Sequence, residues 1–426
     1  YLILKSSQKI DKEVNGKLRE INFMEIEVRF HPFQNKVITV GHLVPHNKQI
    51  LFEYTPEFLK TGLELSPFYL PNKPNVFIER ERVFAGLYGL FNDSLPDGWG
   101  LLLMDRAFRK LGLKTITPLE RLSYLGERTM GALTYHPAKF QQSDNFSALQ
   151  LSLLAEKAQQ VLTGTNDEIF PELQLLGGSS GGARPKVIVG LNEKNNVISG
   201  LDELPSDYEH YLVKFSQNQD LEDAGAIEYV YSLMAKQAGL FLPKTRLIEV
   251  EKQQRYFAIK RFDREGNQRI HTHTLAGLIH ADHRIPSCDY DTYLQVTQIL
   301  TEQQVAIKQA FRRMLFNIIA HNRDDHVKNF SFMFNKQSQW QLAPAYDLMP
   351  TRGIAGEHTM SINGEGKHPQ LKDLKILAEK YNVSDLSAMI EQVKEAVSQW
   401  SKLAKQYEIN PRIIQAIQKY FLKGNI

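Results

Sequence analysis

His321-Asn322-Arg323-Asp324-Asp325-His326-Val327-Lys328-Asn329-Phe330-Ser331 is the stretch on which the reading of this chain turns. Upstream, over 302–321, Ile307, Ala310, Phe311, Met314, Leu315, Ile318 and Ile319 recur at helical spacing and predict a long buried helix. Downstream, residues 329–334 read as a strand. The polar loop is thus clamped between apolar elements, a costly place for His321, Asp324, Asp325, His326, Lys328 and Asn329 unless ligands use them. Asp324 and Asn329 stand five positions apart, as in loops that transfer phosphoryl groups. There the aspartate receives the acceptor hydroxyl's proton and the asparagine carbonyl oxygen holds Mg²⁺. Asp347, in Ala345-Tyr346-Asp347-Leu348, follows 18 residues after Asn329 and would bring a second carboxylate to the same hard cation. A D-x-x-x-x-N match alone is more often a polar turn with solvated acids, so the rest of the chain must decide.

Leu176-Gly177-Gly178-Ser179-Ser180-Gly181-Gly182-Ala183-Arg184-Pro185-Lys186 precedes the β-like run Val187-Ile188-Val189. Its four glycines let backbone N–H groups approach phosphate oxygens, and Arg184 and Lys186 add positive charge. The segment lacks both the G-x-x-x-x-G-K-[ST] and the G-x-G-x-x-G patterns, and a Gly/Ser run by itself is more often a flexible hairpin. Lys214 lies inside the apolar run Tyr211-Leu212-Val213-Lys214-Phe215. Buried there it needs a partner, and Glu228 is placed to supply one. Glu228 edges a helical stripe of Ile227, Val230, Tyr231, Met234, Ala235 and Ala238 that Gly239 ends. A lysine snorkelling from an edge strand would explain Lys214 equally well in isolation. In order, though, glycine loop, strand lysine, helix glutamate, acidic loop and second aspartate are the parts of a kinase.

Farther out, short alternating runs at 26–30, 36–40 and 49–54 predict a small β-rich domain. The turn Ser94-Leu95-Pro96-Asp97-Gly98-Trp99-Gly100 then leads into a helix over 101–113, with Trp99 expected as a packing anchor. A polar stretch at 137–145 marks a boundary. Runs at 186–190, 210–215, 246–250 and 255–259 predict a sheet with one helix laid on it, and the chain beyond Gly266 is expected to be mostly helical. The expected fold class is α+β: an amino-terminal β-rich domain over 1–140, a kinase amino-terminal lobe over 141–265 and a helical lobe over 266–426.

The 426 residues exceed one compact core. A charged fraction of 23% and a hydrophobic fraction of 42% are globular values, and no apolar run is long enough to span a membrane. The net charge of +3 imposes no broad basic field for nucleic acid. A single cysteine, Cys288, excludes intrachain disulfides and Cys-rich zinc sites and points to a reducing cytosol. Cys288 itself reads as a structural thiol. The start, Tyr1 to Asp11, has too short an apolar run for a signal peptide, and the absence of an initiator Met suggests a trimmed terminus. His271, His273, His280 and His283 have metal-like spacing but no completing Cys or paired carboxylates, and are read as loop and helix-start residues.

These motifs resemble the HipA-type serine/threonine protein kinases, toxins of bacterial toxin-antitoxin pairs. The resemblance runs from Ser94 to Gly100 and Met130-Gly131-Ala132-Leu133 to Arg261-Phe262-Asp263-Arg264, Asp324 to Asn329 and Tyr346-Asp347-Leu348. It implies Asp324 as catalytic base, Asn329 and Asp347 as Mg²⁺ ligands, and Lys214 on the phosphates of ATP, backed by Glu228. Gly181, Gly182, Ala183, Arg184, Pro185 and Lys186 would form the nucleotide loop. Lys260, Arg261 and Phe262 would be the hinge near adenine, with His326, Val327, Lys328 and Tyr346 completing the ATP site. Lys260 stands where relatives can carry an acidic residue, so hinge contacts are expected through the backbone. The family's self-phosphorylated regulatory serine would be Ser179 or Ser180. A dianionic phosphate there would repel ATP and could pair with Arg184 once the loop leaves. The implied target is a protein, by analogy an aminoacyl-tRNA synthetase. The implied partner is a HipB-like helix-turn-helix antitoxin, with DNA reached only through it. Alternatives are a small-molecule or lipid phosphotransferase, and a kinase-like scaffold acting as co-repressor.

Overall fold

The computed structural model describes residues 25–421 apart from 35, 114, 139–148, 165–169, 179–180, 202, 217–222 and 251–253. The first sheet grows from the alternation seen in the sequence. Strand β1 (Ile26–Phe30) buries Ile26, Val28 and Phe30 on one face. It pairs antiparallel with β2 (Ile38–His46), which pairs with β3 (Gln49–Tyr54), and that in turn with β4 (Val76–Ile78). β5 (Leu133–His136) closes the other side of β1, giving the order β4-β3-β2-β1-β5. β2 runs well past the expected residue 40, through Gly41 and Pro45, because pairing with β3 overrides their weak strand preference. Phe30, Phe52, Tyr54, Phe58 and Phe91 fill the core beneath. The helix Pro118–Leu125 is started by a capping box between Thr117 and Glu120, with Pro118 in its first turn.

A second antiparallel sheet, in the order β7-β6-β8-β10-β9, is built from β6 (Lys186–Asn192), β7 (Val197–Ser199), β8 (Tyr208–Lys214), β9 (Thr245–Val250) and β10 (Gln254–Lys260). β6 is buried throughout because both of its faces are covered. Over one face lie the helices Leu151–Thr163 and Pro171–Gly177, together with Trp99 and Leu103 from the helix Gly98–Lys110. That last helix starts three residues earlier than expected, and Trp99 is buried in it as the anticipated anchor. The helix Ala224–Gln237 crosses from the sheet into the largest core, where Ile227, Val230, Tyr231 and Met234 meet the helical lobe.

The chain beyond Gly266 is less uniformly helical than expected. A hairpin of β11 (Arg264–Glu265) and β12 (Gln268–Arg269) is followed by a three-stranded sheet of β13 (Thr272–Thr274), β14 (Ser331–Phe334) and β15 (Trp340–Leu342). β13 falls in the His-rich segment read as loop. Its strand character comes from pairing with β14, some 60 residues away, which no local pattern signals. The expected helix over 302–321 is realised as Gln304–Ile319. The preceding helix, Tyr290–Thr301, is separated from it by Glu302, whose φ of +52° is left-handed. Among the described residues no helix is long and apolar enough to cross a membrane.

Candidate active site

The loop after helix Gln304–Ile319 is fixed from below. His321 takes a φ of +56°, turning the chain, and its ring stacks on Tyr420 at 4.6 Å. Asp325 points inward and is 1% exposed. Its carboxylate accepts from the Tyr290 hydroxyl at 2.7 Å, His358 Nδ1 at 2.7 Å and the Thr359 N–H at 2.8 Å. Asn317 donates to the Tyr290 oxygen and accepts from Asn322, extending the network into the helix. The N–H groups of Arg323 and Asp324 both donate to Thr351 Oγ1, and Arg313 donates to the Asn329 carbonyl at 2.6 Å. A buried acid with this many donors is satisfied where it stands. Its sequence neighbour is left facing out.

Asp324 opens into a cleft of about 500 Å³ between the second sheet and the helical lobe. Loss of hydration there holds its carboxyl above the usual carboxylate range. His326 opposes that shift, while the charges of Asp347 and Asp325 reinforce it. Asn329 donates through Nδ2 to the Asp324 carbonyl at 2.8 Å, which turns its own amide oxygen away from that bond. Asp347, at a φ of +55°, lines the same cleft, so the two distant acids do converge. Lys214 lies between sheet and lobe, donating to Glu228 Oε1 and to Asp347 Oδ1, each at 2.6 Å. Burial would raise the Asp347 carboxyl, but Lys214 and Lys186 overcome it and hold the group well below the carboxylate range. Glu228 is pushed up by burial against the pull of Lys214.

Gly181, Gly182, Ala183 and Lys186 also line the cleft. Lys186 donates to the Gly181 carbonyl, and burial together with the Lys214 charge pulls its ammonium down to about 8. Arg184 reaches toward Glu228 at 3.7 Å and contacts Met349. Ser179 and Ser180 lie outside the described residues. Lys260, Arg261 and Phe262 border the cleft, with Phe262 stacked on Tyr346 at 5.5 Å. The N–H groups of Lys260 and Arg261 are taken by the carbonyls of Lys244 and His210, so those two backbone donors are not available to a base. The Lys260 side chain pairs with Glu209, and that of Arg261 with Asp263. His326, Lys328 and Tyr346 line the cleft. Val327 does not: its side chain belongs to the helical core, because the short 3₁₀ turn Val327–Asn329 aims it inward.

The sequence reading assigned no chemistry to Asp97, yet this residue of the amino-terminal turn lies in the cleft beside Gly182 and Lys328. Asp93, next to the same turn, and Met130, Thr274 and His283, from segments distant in sequence, join it. The His-rich segment likewise finds its use at this domain boundary. His271 Nε2 bonds to the Leu65 carbonyl at 3.0 Å. Ser66, His273 and Asp93 form a hydrogen-bonded line, with Ser66 Oγ to His273 Nε2 at 3.0 Å and His273 Nδ1 to Asp93 Oδ2 at 2.5 Å. Its order is that of a nucleophilic triad, but Ser66 is fully buried and the line works as a rivet between the amino-terminal domain and β13. His280 sits near Glu79 and Glu81 but accepts the Gly89 N–H through Nε2. The other nitrogen of a neutral ring then carries the proton, so neither nitrogen has a free lone pair for a metal.

A five-stranded antiparallel sheet with a lysine strand and a glutamate helix, set over a helical lobe bearing paired acids, is a protein-kinase-like, two-lobed fold. Here it is preceded by a β-rich domain. Residues 178–400 match the model of the HipA-like C-terminal domain and residues 35–136 that of the HipA N-terminal domain; the chain belongs to the HipA family. It is 28% identical over 150 residues to "Putative kinase Y4dM" of Sinorhizobium fredii, covering 32% of this chain and 36% of that protein. It is 29% identical over 136 residues to "Putative kinase" of Haemophilus influenzae, covering 29% and 40%. The aligned part thus spans well under half the length of these relatives. Among solved structures, a chain from the complex of the Shewanella oneidensis MR-1 toxin-antitoxin system HipA, HipB and its operator DNA superposes with a TM-score of 0.67 at 17% identity. The superposition covers 93% of this chain and 95% of that one.

Proposed function

We propose that this chain is an ATP- and Mg²⁺-dependent kinase that phosphorylates a serine or threonine hydroxyl of another protein. The observation that carries the reading is the bridging of Lys214 to both Glu228 and Asp347, inside the cleft that Asp324 and Asn329 also line. Asp324 orients the acceptor hydroxyl and takes its proton as the oxygen bonds to the γ-phosphorus and ADP departs. Lys214 exchanges its contact with Asp347 for phosphate oxygens while keeping Glu228, and Lys186 holds the remainder. The donor set fits a hard cation: the amide oxygen of Asn329 and the carboxylate of Asp347 are the groups that would hold Mg²⁺. The metal would supply charge neutralisation at the phosphates.

The acceptor class, by family analogy, is an aminoacyl-tRNA synthetase, and the self-limiting site is Ser179 or Ser180 in the glycine-rich loop. A HipB-like antitoxin is the proposed partner, with DNA contacted through it and the cytoplasm as the site of action. Incubating the purified chain with Mg²⁺ and ATP, with and without protein acceptors, followed by mass spectrometry, tests the reading. Phosphate on a seryl or threonyl side chain is expected, and it should vanish when Mg²⁺ is chelated. Transfer to small-molecule hydroxyls alone would overturn the protein-kinase assignment. An unmodified loop in active enzyme would remove the self-limiting switch.

A further inference from the structure

We infer that Asp97, in the amino-terminal domain, is a positioning residue for the nucleotide. It holds the glycine-rich loop and the catalytic-loop lysine in one geometry, so that the amino-terminal domain is a working part of the ATP site. This deepens the kinase reading and rests on it.

Asp97 occupies the N-cap position of helix Gly98–Lys110, where an aspartate ordinarily accepts from its own helix. It makes no such bond. One carboxylate oxygen instead accepts the N–H of Gly182, and the other accepts Lys328 Nζ at 2.8 Å. Gly182 belongs to the loop over the phosphates, and Lys328 stands next to Asn329 in the loop that bears Asp324. A single carboxylate therefore joins two functional loops that lie 85 and 231 residues away in the chain.

The neighbouring residues support that bridge. Trp99 donates its backbone N–H to the Gly182 carbonyl at 3.0 Å and its indole Nε1 to the Lys186 carbonyl at 3.0 Å, pinning both ends of the glycine-rich loop. Gly98 has a φ of +42°, and a Cβ there would stand 2.6 Å from the Gly182 oxygen. The turn can approach the loop this closely because that position has no side chain. Lys328 and Asp97 keep 15% and 24% of their side-chain surface exposed, so the pair borders the cleft and Lys328 can share its charge between Asp97 and a phosphate. The glycine-rich loop thus takes its position from a domain outside the kinase lobes.

In the full chain, Asp97→Ala removes both bonds, whereas Asp97→Asn keeps an acceptor for Gly182 and loses the charge that holds Lys328. Asp97→Ala should raise the KM for ATP and the Kd of a non-hydrolysable ATP analogue by about tenfold. Asp97→Asn should recover most of that affinity while kcat stays reduced several-fold, a split that a purely structural contact would not give. Ser66→Ala, which breaks the rivet to His273 without touching the loop, is the control. It should lower the melting temperature and leave nucleotide affinity within about twofold of the wild type. Equal analogue affinity in wild type and Asp97→Ala overturns the inference and leaves the kinase reading standing. An equal loss of affinity in Ser66→Ala overturns it too, by reducing Asp97 to interface packing. A wild-type chain that binds no ATP analogue removes the kinase reading, and this inference with it.

Discussion

The two loops that meet in the cleft are held in opposite ways. The catalytic loop is built on buried polar groups: Asp325 with its three donors, Asn317 and Asn322 beneath, Thr351 under two amides and Arg313 on the Asn329 carbonyl. Among its described residues, the glycine-rich loop is tied by Asp97 and Trp99 of another domain and by Lys186. A group that must orient a hydroxyl within a fraction of an ångström gains from a rigid base. A loop that covers and releases a nucleotide gains from tethers that can let go.

Neighbouring acids in the rigid loop offer the sharpest way to break this contrast. Asp324→Asn should lower phosphate transfer by about three orders of magnitude, because the proposed proton acceptor is lost. Analogue affinity, measured calorimetrically, should change by less than about threefold. Undiminished transfer in that variant would refute the assignment of Asp324. Asp325→Ala acts on the base beneath. It strands the Tyr290, His358 and Thr359 donors, so the chain should lose about 3 kcal/mol of stability in denaturant unfolding. Ala183→Gly in the tethered loop should change the same unfolding free energy by less than about 1 kcal/mol. Equal shifts would erase the distinction between the two loops.

Proton linkage gives a smaller and more graded effect. The Asp324 carboxyl is held above its usual range, and the base proposed there works only when ionised, so transfer should fall on acidification with a midpoint above that of an ordinary aspartate. Lys186, pulled down to about 8, loses its positive charge as pH rises through that value. Analogue affinity should therefore weaken between about pH 8 and 9, and Lys186→Arg should abolish the inflection, since a guanidinium stays charged there. A flat affinity profile in the wild type would place Lys186 away from the phosphates. Smallest of all, Cys288→Ser should leave transfer within about twofold of the wild type, because Cys288 lies outside the cleft lining.

How much of this was legible varies from residue to residue. The pairing of Lys214 with Glu228 could be read because a lysine in an apolar strand demands a partner, and a helix edge 14 residues on offered one. The burial of Asp325 could not, since side by side in the sequence it and Asp324 look alike. The Tyr290 hydroxyl, His358 and the Thr359 N–H, each more than 30 residues away, separate them. β13 and Val327 escaped for the same reason: their roles depend on which neighbour the folded chain presents.

The order of side-chain types along the chain was enough to determine the helical stripe before His321, the lysine strand, the glycine-rich loop and the acids at 324 and 347. Periodicity and local chemistry act over a few residues and survive in one dimension. Tertiary structure alone decided that Asp347 turns toward Lys214, that Asp325 faces the core, and that Asp97 crosses from the first domain into the cleft. Hydrogen bonds and ion pairs act over a few ångströms, so packing, and not distance along the chain, selects which groups they join.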